Sequence, residues 1–186
     1  MSRIVAQMEL TLDGYMTGPN GEMDWFSLDP DVWQLRVSKY ESIGTVLLGR
    51  RNYEGFAGFW PLMATNPAAS PTDVTFSRWL DAVPKVVFSH TLQGAPWQNS
   101  RLAEGDLAGE LAKLKQQNGK DVLIMSSASL IQQGQHLGLL DELWLNVHPV
   151  TLGEGRRLFT ERMNLELLES RVFDSGQVFL HYAVRR

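Results

Sequence analysis

Residues 3–12 alternate: Ile4, Ala6, Met8, Leu10 and Leu12 fall on one face, and Val5, Gln7, Glu9 and Thr11 on the other. A period of two predicts a strand, and Asp13-Gly14 ends it with turn-forming residues. Residues 13–26, dense in turn formers around Gly18-Pro19-Asn20-Gly21, read as a loop covering the end of that strand. The period then lengthens. Asp29-Pro30 has the form of an N-cap with proline at the first helical position, and Trp33, Val37 and Tyr40 at i, i+4 and i+7 carry a helix toward Ile43. A short buried strand over 45–48 leaves through Gly49 into a short helix. An aromatic, glycine-bearing segment over 56–60 follows, and Pro61, Pro67 and Pro71 mark the least regular part of the chain.

The second half repeats the alternation of element types. A helix is expected over 72–82, a strand over 85–89, and a helix over 106–117 that carries Leu107, Leu111 and Leu114 and stops at Asn118-Gly119. Residues 121–125 form the next strand, Ser126-Ser127-Ala128-Ser129 lead into a helix ending near Gly138, and 142–150 return as a strand. Such ordering favours a mainly parallel sheet with helices on its faces. Residues 165–173 and 177–184 flank Asp174-Ser175-Gly176, a turn short enough only for an antiparallel hairpin. The expected fold is α/β: a mixed, mainly parallel sheet flanked by helices, with a C-terminal antiparallel hairpin, in one domain over 1–186.

Composition removes whole classes of function. With 44% hydrophobic and 20% charged residues among 186, the chain has the make-up of a globular domain rather than a disordered one. The absence of cysteine excludes disulfides, thiolate nucleophiles and thiolate metal sites, and fits a cytoplasmic protein. A formal charge of −4, with no basic tract longer than two residues, removes the usual driving force for binding nucleic acid. No apolar run is long enough for a membrane span, and Glu9 interrupts the N-terminal segment before a signal-peptide core forms.

In open α/β sheets, ligands bind beyond the carboxyl ends of parallel strands, where helix N-termini present free N–H groups. Gly49-Arg50-Arg51, Ser89-His90-Thr91 and Ser126 to Ser129 each follow a buried strand directly, and their donors suit phosphates. Plainer readings stand beside this one: a serine capping the next helix, an arginine pair on solvated surface, a surface histidine. The acidic stretch Glu22-Met23-Asp24-Trp25 suits a flat nitrogen heterocycle, or Trp25 is a core residue, and the same two readings stand for Trp60 and Trp97. His90, His136, His148 and His181 lack paired ligand spacing, so no metal is expected, and no GxSxG elbow marks a serine nucleophile.

Several segments in register resemble a known family. Thr11-Leu12-Asp13-Gly14 with Gly18 to Trp25, Leu47 to Phe56, Lys85 to Ser89, Gly105-Asp106-Leu107, Leu139 to Leu143 and His148 to Gly155 are similar to the dihydrofolate reductase-like family. That family includes the reductase domain of bacterial riboflavin-biosynthesis enzymes. The resemblance covers essentially the whole chain. It implies an eight-stranded mixed sheet, NADPH as hydride donor, a pterin-like or pyrimidine-like heterocycle as small-molecule acceptor, and a homodimer. It assigns Gly49, Arg50, Asn52, Ser89, His90, Ser126, Ser127, Ala128, Ser129 and Leu130 to the cofactor. Asp13, Asp24 and Trp25 go to the substrate side, with Asp13 as the candidate catalytic carboxylate. The chain departs from the pattern at Ser126, where glycine is usual, at Asn52, where threonine is usual, and at His90, where a more basic residue is common. With the first strand beginning at Arg3, a stand-alone reductase-like domain is expected. The alternative is a nucleotide-binding or regulatory protein that kept the fold and lost turnover.

Overall fold

A computed structural model describes residues 2–116 and 119–185. One eight-stranded sheet organises it. The strands, in chain order, are β1 (Ile4–Thr11), β3 (Ile43–Gly49), β4 (Lys85–Phe88), β5 (Ser100–Leu102), β6 (Asp121–Met125), β7 (Glu142–His148), β9 (Asn164–Val172) and β10 (Val178–Arg185). A separate pair, β2 (Tyr15–Thr17) and β8 (Arg156–Arg157), lies beside it. The strand order is β5-β4-β3-β6-β1-β7-β10-β9. The first six are parallel, and β10 runs antiparallel to both β7 and β9.

Five helices cover the two faces: α1 (Pro30–Lys39), α2 (Arg50–Met63), α3 (Pro71–Ala82), α4 (Leu107–Gln116) and α5 (Ala128–His136). The even-numbered apolar positions of β1 pack with Leu107, Leu111, Leu130 and Ile131 of α4 and α5. Val5 joins Trp33, Tyr53, Phe76 and Leu80 of α1, α2 and α3 on the other side. Being central, β1 is buried along its whole length, so its polar positions Gln7 and Glu9 lie inside the molecule.

Turn and cap chemistry places the element ends. The Asp29 carboxylate accepts from the N–H groups of Asp31 and Val32, with Pro30 opening the helix. Ser70 and Asp73 cap each other's backbone at the start of α3. Lys85, buried at the root of β4, donates from Nζ to the carbonyls of Leu80 (2.6 Å) and Val83 (2.9 Å), closing the C-terminal end of α3. The amino-terminal edge of the sheet is tied by charge: Arg3 binds Asp121 and Glu142, and Glu142 also meets His181 at 2.8 Å. The opposite, carboxyl-terminal edge is left open.

Two local expectations are corrected, and one strand was not expected. The loop expected over 13–26 contains β2, which pairs with β8. Gly155 permits that pairing, because a Cβ there would lie 2.2 Å from the Thr17 carbonyl oxygen. The aromatic segment 56–60 is helical. Helix α2 runs on to Met63 with Pro61 in its last turn, since Trp60 packs on Trp33 and Phe76. Strand β5 falls in a stretch that carries no periodic signal. The helix expected over 106–117 runs as α4 to Gln116, and the positions of its expected end, Gln117 and Asn118 before Gly119, lie outside the described residues. No helix among the described residues is long and apolar enough to cross a membrane.

Candidate active site

A cleft of about 1460 Å³ opens along the carboxyl-terminal edge of the parallel strands. All ten residues that the family resemblance assigns to a cofactor line it: Gly49, Arg50, Asn52, Ser89, His90, Ser126, Ser127, Ala128, Ser129 and Leu130. They are brought together because β3, β4 and β6 are neighbours whose ends point the same way.

Two helices begin in this half of the cleft, and neither is capped by a side chain. Gly49 is the N-cap of α2 and Ser127 that of α5. The Ser127 hydroxyl, which could have closed its own helix, instead accepts the Gly49 N–H at 2.8 Å. It therefore cross-links the two helix starts. The remaining first-turn N–H groups and the positive ends of both helix dipoles face the cleft, an arrangement that favours anions. Arg50 lies at the rim with its guanidinium 3.4 Å from the Thr91 hydroxyl, and Arg51 and His90 are exposed beside it. The Ser89 hydroxyl accepts from the N–H groups of Thr91 and Leu92 and shapes the turn after β4.

The turn between β6 and α5 is unusual. Ser126 has φ of 50°, a left-handed conformation that side chains disfavour. Asn52 holds it there. Its amide donates to the Ser126 carbonyl at 2.6 Å and to the Met125 carbonyl at 3.2 Å, while the Ser126 N–H donates to Gln7. The two sequence departures at 52 and 126 are thus in direct contact.

The other half of the cleft is apolar and aromatic, walled by Met16, Met23, Phe26, Trp33, Trp60 and Phe76. Its floor carries two charged residues that sequence reasoning missed, Glu9 from β1 and Arg36 from α1, each almost wholly buried. Arg36 binds one Glu9 oxygen. The other accepts from Asn146 at 2.8 Å and lies 2.8 Å from His148 Nε2. Burial alone raises the Glu9 carboxyl, but the Arg36 charge and the hydrogen bonds from His148 and Asn146 prevail and hold it below the ordinary carboxylate range. Trp25 and Phe26 place their rings 5.0 and 5.6 Å from His148, so the loop over the cleft rests on the same group. A sequence signal existed: Glu9 is a charge in the middle of a strand with apolar neighbours.

The residues expected on the substrate side are not among those that wall the cleft. Asp13, Asp24 and Trp25 do not line the cleft. Asp13 accepts from Thr11 Oγ1 at 2.6 Å and from the N–H groups of Leu152 and Gly153, and these bonds, led by that of Thr11, keep its carboxyl below the usual range. It pins the segment that leads into β8. Asp24 is exposed, and the half-buried Trp25 packs on His148. Among the described residues no three His, Asp or Glu side chains gather as a metal site would require.

Comparison with known proteins agrees with this architecture. Residues 2–179 match the RibD C-terminal domain. The uncharacterized protein YyaP of Bacillus subtilis is 34% identical over 183 residues, covering 97% of this chain and 94% of YyaP. A solved structure from Shewanella sp. PV-4, assigned to riboflavin biosynthesis, has a TM-score of 0.71 at 20% identity over 99% of both chains. RibD of Acinetobacter baumannii has a TM-score of 0.68 at 18% identity, with this chain spanning 58% of its length. At such identities the solved structures share the fold.

Proposed function

The chain belongs to the RibD C-terminal domain family, and from that premise we propose that it is an NADPH-dependent reductase of a flat pyrimidine-like or pterin-like ring, working in the cytoplasm. The observation that carries this reading is the division of one cleft into two chemically distinct halves. One half offers helix N-termini and guanidinium groups, and the other offers aromatic walls over a polar floor.

The donor set fits a dinucleotide phosphate. The N–H groups at the starts of α2 and α5 would hold the pyrophosphate, with Gly49, Ser127 and Ala128 allowing close backbone approach. Arg50, with Arg51 and His90 beside it, would hold the further phosphate that distinguishes NADPH. When bound, the cofactor supplies a hydride. The protein's own part is to orient and to exclude water: Trp33, Trp60 and Phe76 confine a ring, and the loop bearing Met23 and Phe26 covers it.

NADPH should raise the melting temperature, because a ligand selective for the folded state stabilises it by mass action, by about 2.7 kcal/mol at a hundredfold excess over Kd. Replacing Arg50 by alanine should leave the fold intact and weaken NADPH by roughly ten- to a hundredfold, the worth of one charge-assisted phosphate contact. Titration of both proteins with NADPH and NADH is the check. No thermal shift at millimolar NADPH overturns the reading. Equal affinities for wild type and variant reduce Arg50 to solvated surface.

A further inference from the structure

Residues 13–35, which form the loop over the cleft and the start of α1, carry the carboxylates of Asp13, Glu22, Asp24, Asp29 and Asp31 and no lysine or arginine. Residues 52–77, which run from the first turn of α2 into α3, carry Glu54 and Asp73 and again no basic side chain. These two stretches supply the walls of the aromatic half of the cleft. Met23, Phe26, Leu28 and Trp33 come from the first, and Phe56, Trp60 and Phe76 from the second. Neither wall therefore offers a cation.

The cations that reach the cleft are engaged or stand elsewhere. Arg36 is buried and binds Glu9. Arg50, Arg51 and His90 belong to the half that holds the helix starts. Arg156 lies on β8, beside α5, where Gln132 donates to the carbonyls of Arg157 and Leu158. The mouth of the aromatic half is apolar instead. Trp33 and Phe76 are buried, but Met23, Phe26 and Leu28 are 44%, 39% and 44% exposed. On α2, Phe59 packs edge-on to Trp60 at 5.1 Å and carries the apolar surface outward. An apolar rim continuous with a ligand cleft is surface that a ligand covers. An anionic group placed there meets no partner and stands in the field of the neighbouring carboxylates.

We propose that the acceptor ring carries an apolar substituent of about aryl size, which leaves the cleft across Met23, Phe26 and Leu28, and that a sugar phosphate in the same place is rejected. The apolar side chains select by contact. Glu22, Asp24, Asp29 and Asp31 select by repulsion, so the discrimination has an attractive and a repulsive part. This inference rests on the assignment of the aromatic half to the acceptor ring.

The test uses three probes that share one ring: 6-aminouracil, its N-benzyl derivative and its N-phosphoribosyl derivative. Calorimetry measures each with and without saturating NADP+, so that the result stands apart from the cofactor assignment. The benzyl group should tighten binding over the bare ring by roughly ten- to a hundredfold, the worth of burying one aryl group. The phosphoribosyl group should give no gain, and its affinity should rise with added salt, which screens the opposing field. Leu28→Ala should shrink the benzyl gain alone. Leu28→Lys should shrink that gain and also raise the phosphoribosyl affinity, each relative to the bare ring, and both variants should keep their circular dichroism because the position is exposed. A bare ring that binds and is tightened by the phosphoribosyl group, or is unaffected by the benzyl group, overturns the proposal and leaves the ring assignment in place. If none of the three probes binds, the ring assignment falls and the proposal falls with it.

Discussion

Glu110 is fully buried in α4, yet it is charged, because Arg101 donates to it at 2.6 and 3.2 Å and the Glu104 N–H at 2.8 Å. These bonds, that of Arg101 foremost, hold its carboxyl below the ordinary value. A carboxyl depressed in the folded state stabilises it fully above the ordinary carboxylate range, and the gain starts to fade in that range and is lost as pH falls on through the depressed value below it. Urea melts between pH 7 and pH 4 should therefore show a steeper loss for wild type than for Glu110→Gln. The variant should itself be less stable at pH 7 by roughly 1–3 kcal/mol, the cost of unpairing buried groups. A single residue also shows where reading the chain stopped. Glu9 is visible as a charge within a strand, but its partners Arg36 and His148 come from a helix and a strand far along the chain. Only the register that sets β1 beside β7 brings them to one point.

At the scale of elements, legibility followed local chemistry. Strand β6 matches its expected limits, α1 starts at its Asp-Pro cap, and the hairpin of β9 and β10 turns at Asp174-Ser175-Gly176, since periodicity and turn residues lie within a few positions of one another. The pairing of β2 with β8 was hidden because three residues near the start meet two residues near position 156, and neither piece is long enough to show a period. Gly55, Gly58 and Pro61 argue for a shorter α2, and the packing of Trp60 overrides their weak propensities. The β6–α5 turn carries a prediction of its own. Ser126→Gly should relieve the left-handed strain and stabilise by up to about 1 kcal/mol, whereas Asn52→Ala should destabilise by releasing two carbonyls. Because both act on one turn, Asn52→Ala should cost less in the Ser126→Gly background. A double-mutant cycle by denaturant melts reads the coupling, and additivity within about 0.5 kcal/mol would mean that Asn52 does not hold Ser126.

For the whole molecule, the sheet has two unlike edges. Strand β9 is nine residues long and exposed, and it presents Leu165, Leu167, Leu168 and Val172 to solvent. Long apolar edges of this kind are normally covered. We expect β9 to meet a second copy of itself in a two-fold dimer, with the chain unfolding in one cooperative transition. Light scattering should give twice the monomer mass, and Leu167→Lys should return the monomer. A wild-type monomer at micromolar concentration would rule the dimer out. The far edge bears on what such pairing leads to. Strand β5 is only three residues long, so it offers almost no ladder on which another sheet could continue. Edge-to-edge growth needs an open side at each end of every unit, and this molecule provides one. Association through β9 would then be self-limiting, closing after two copies rather than propagating into a fibre.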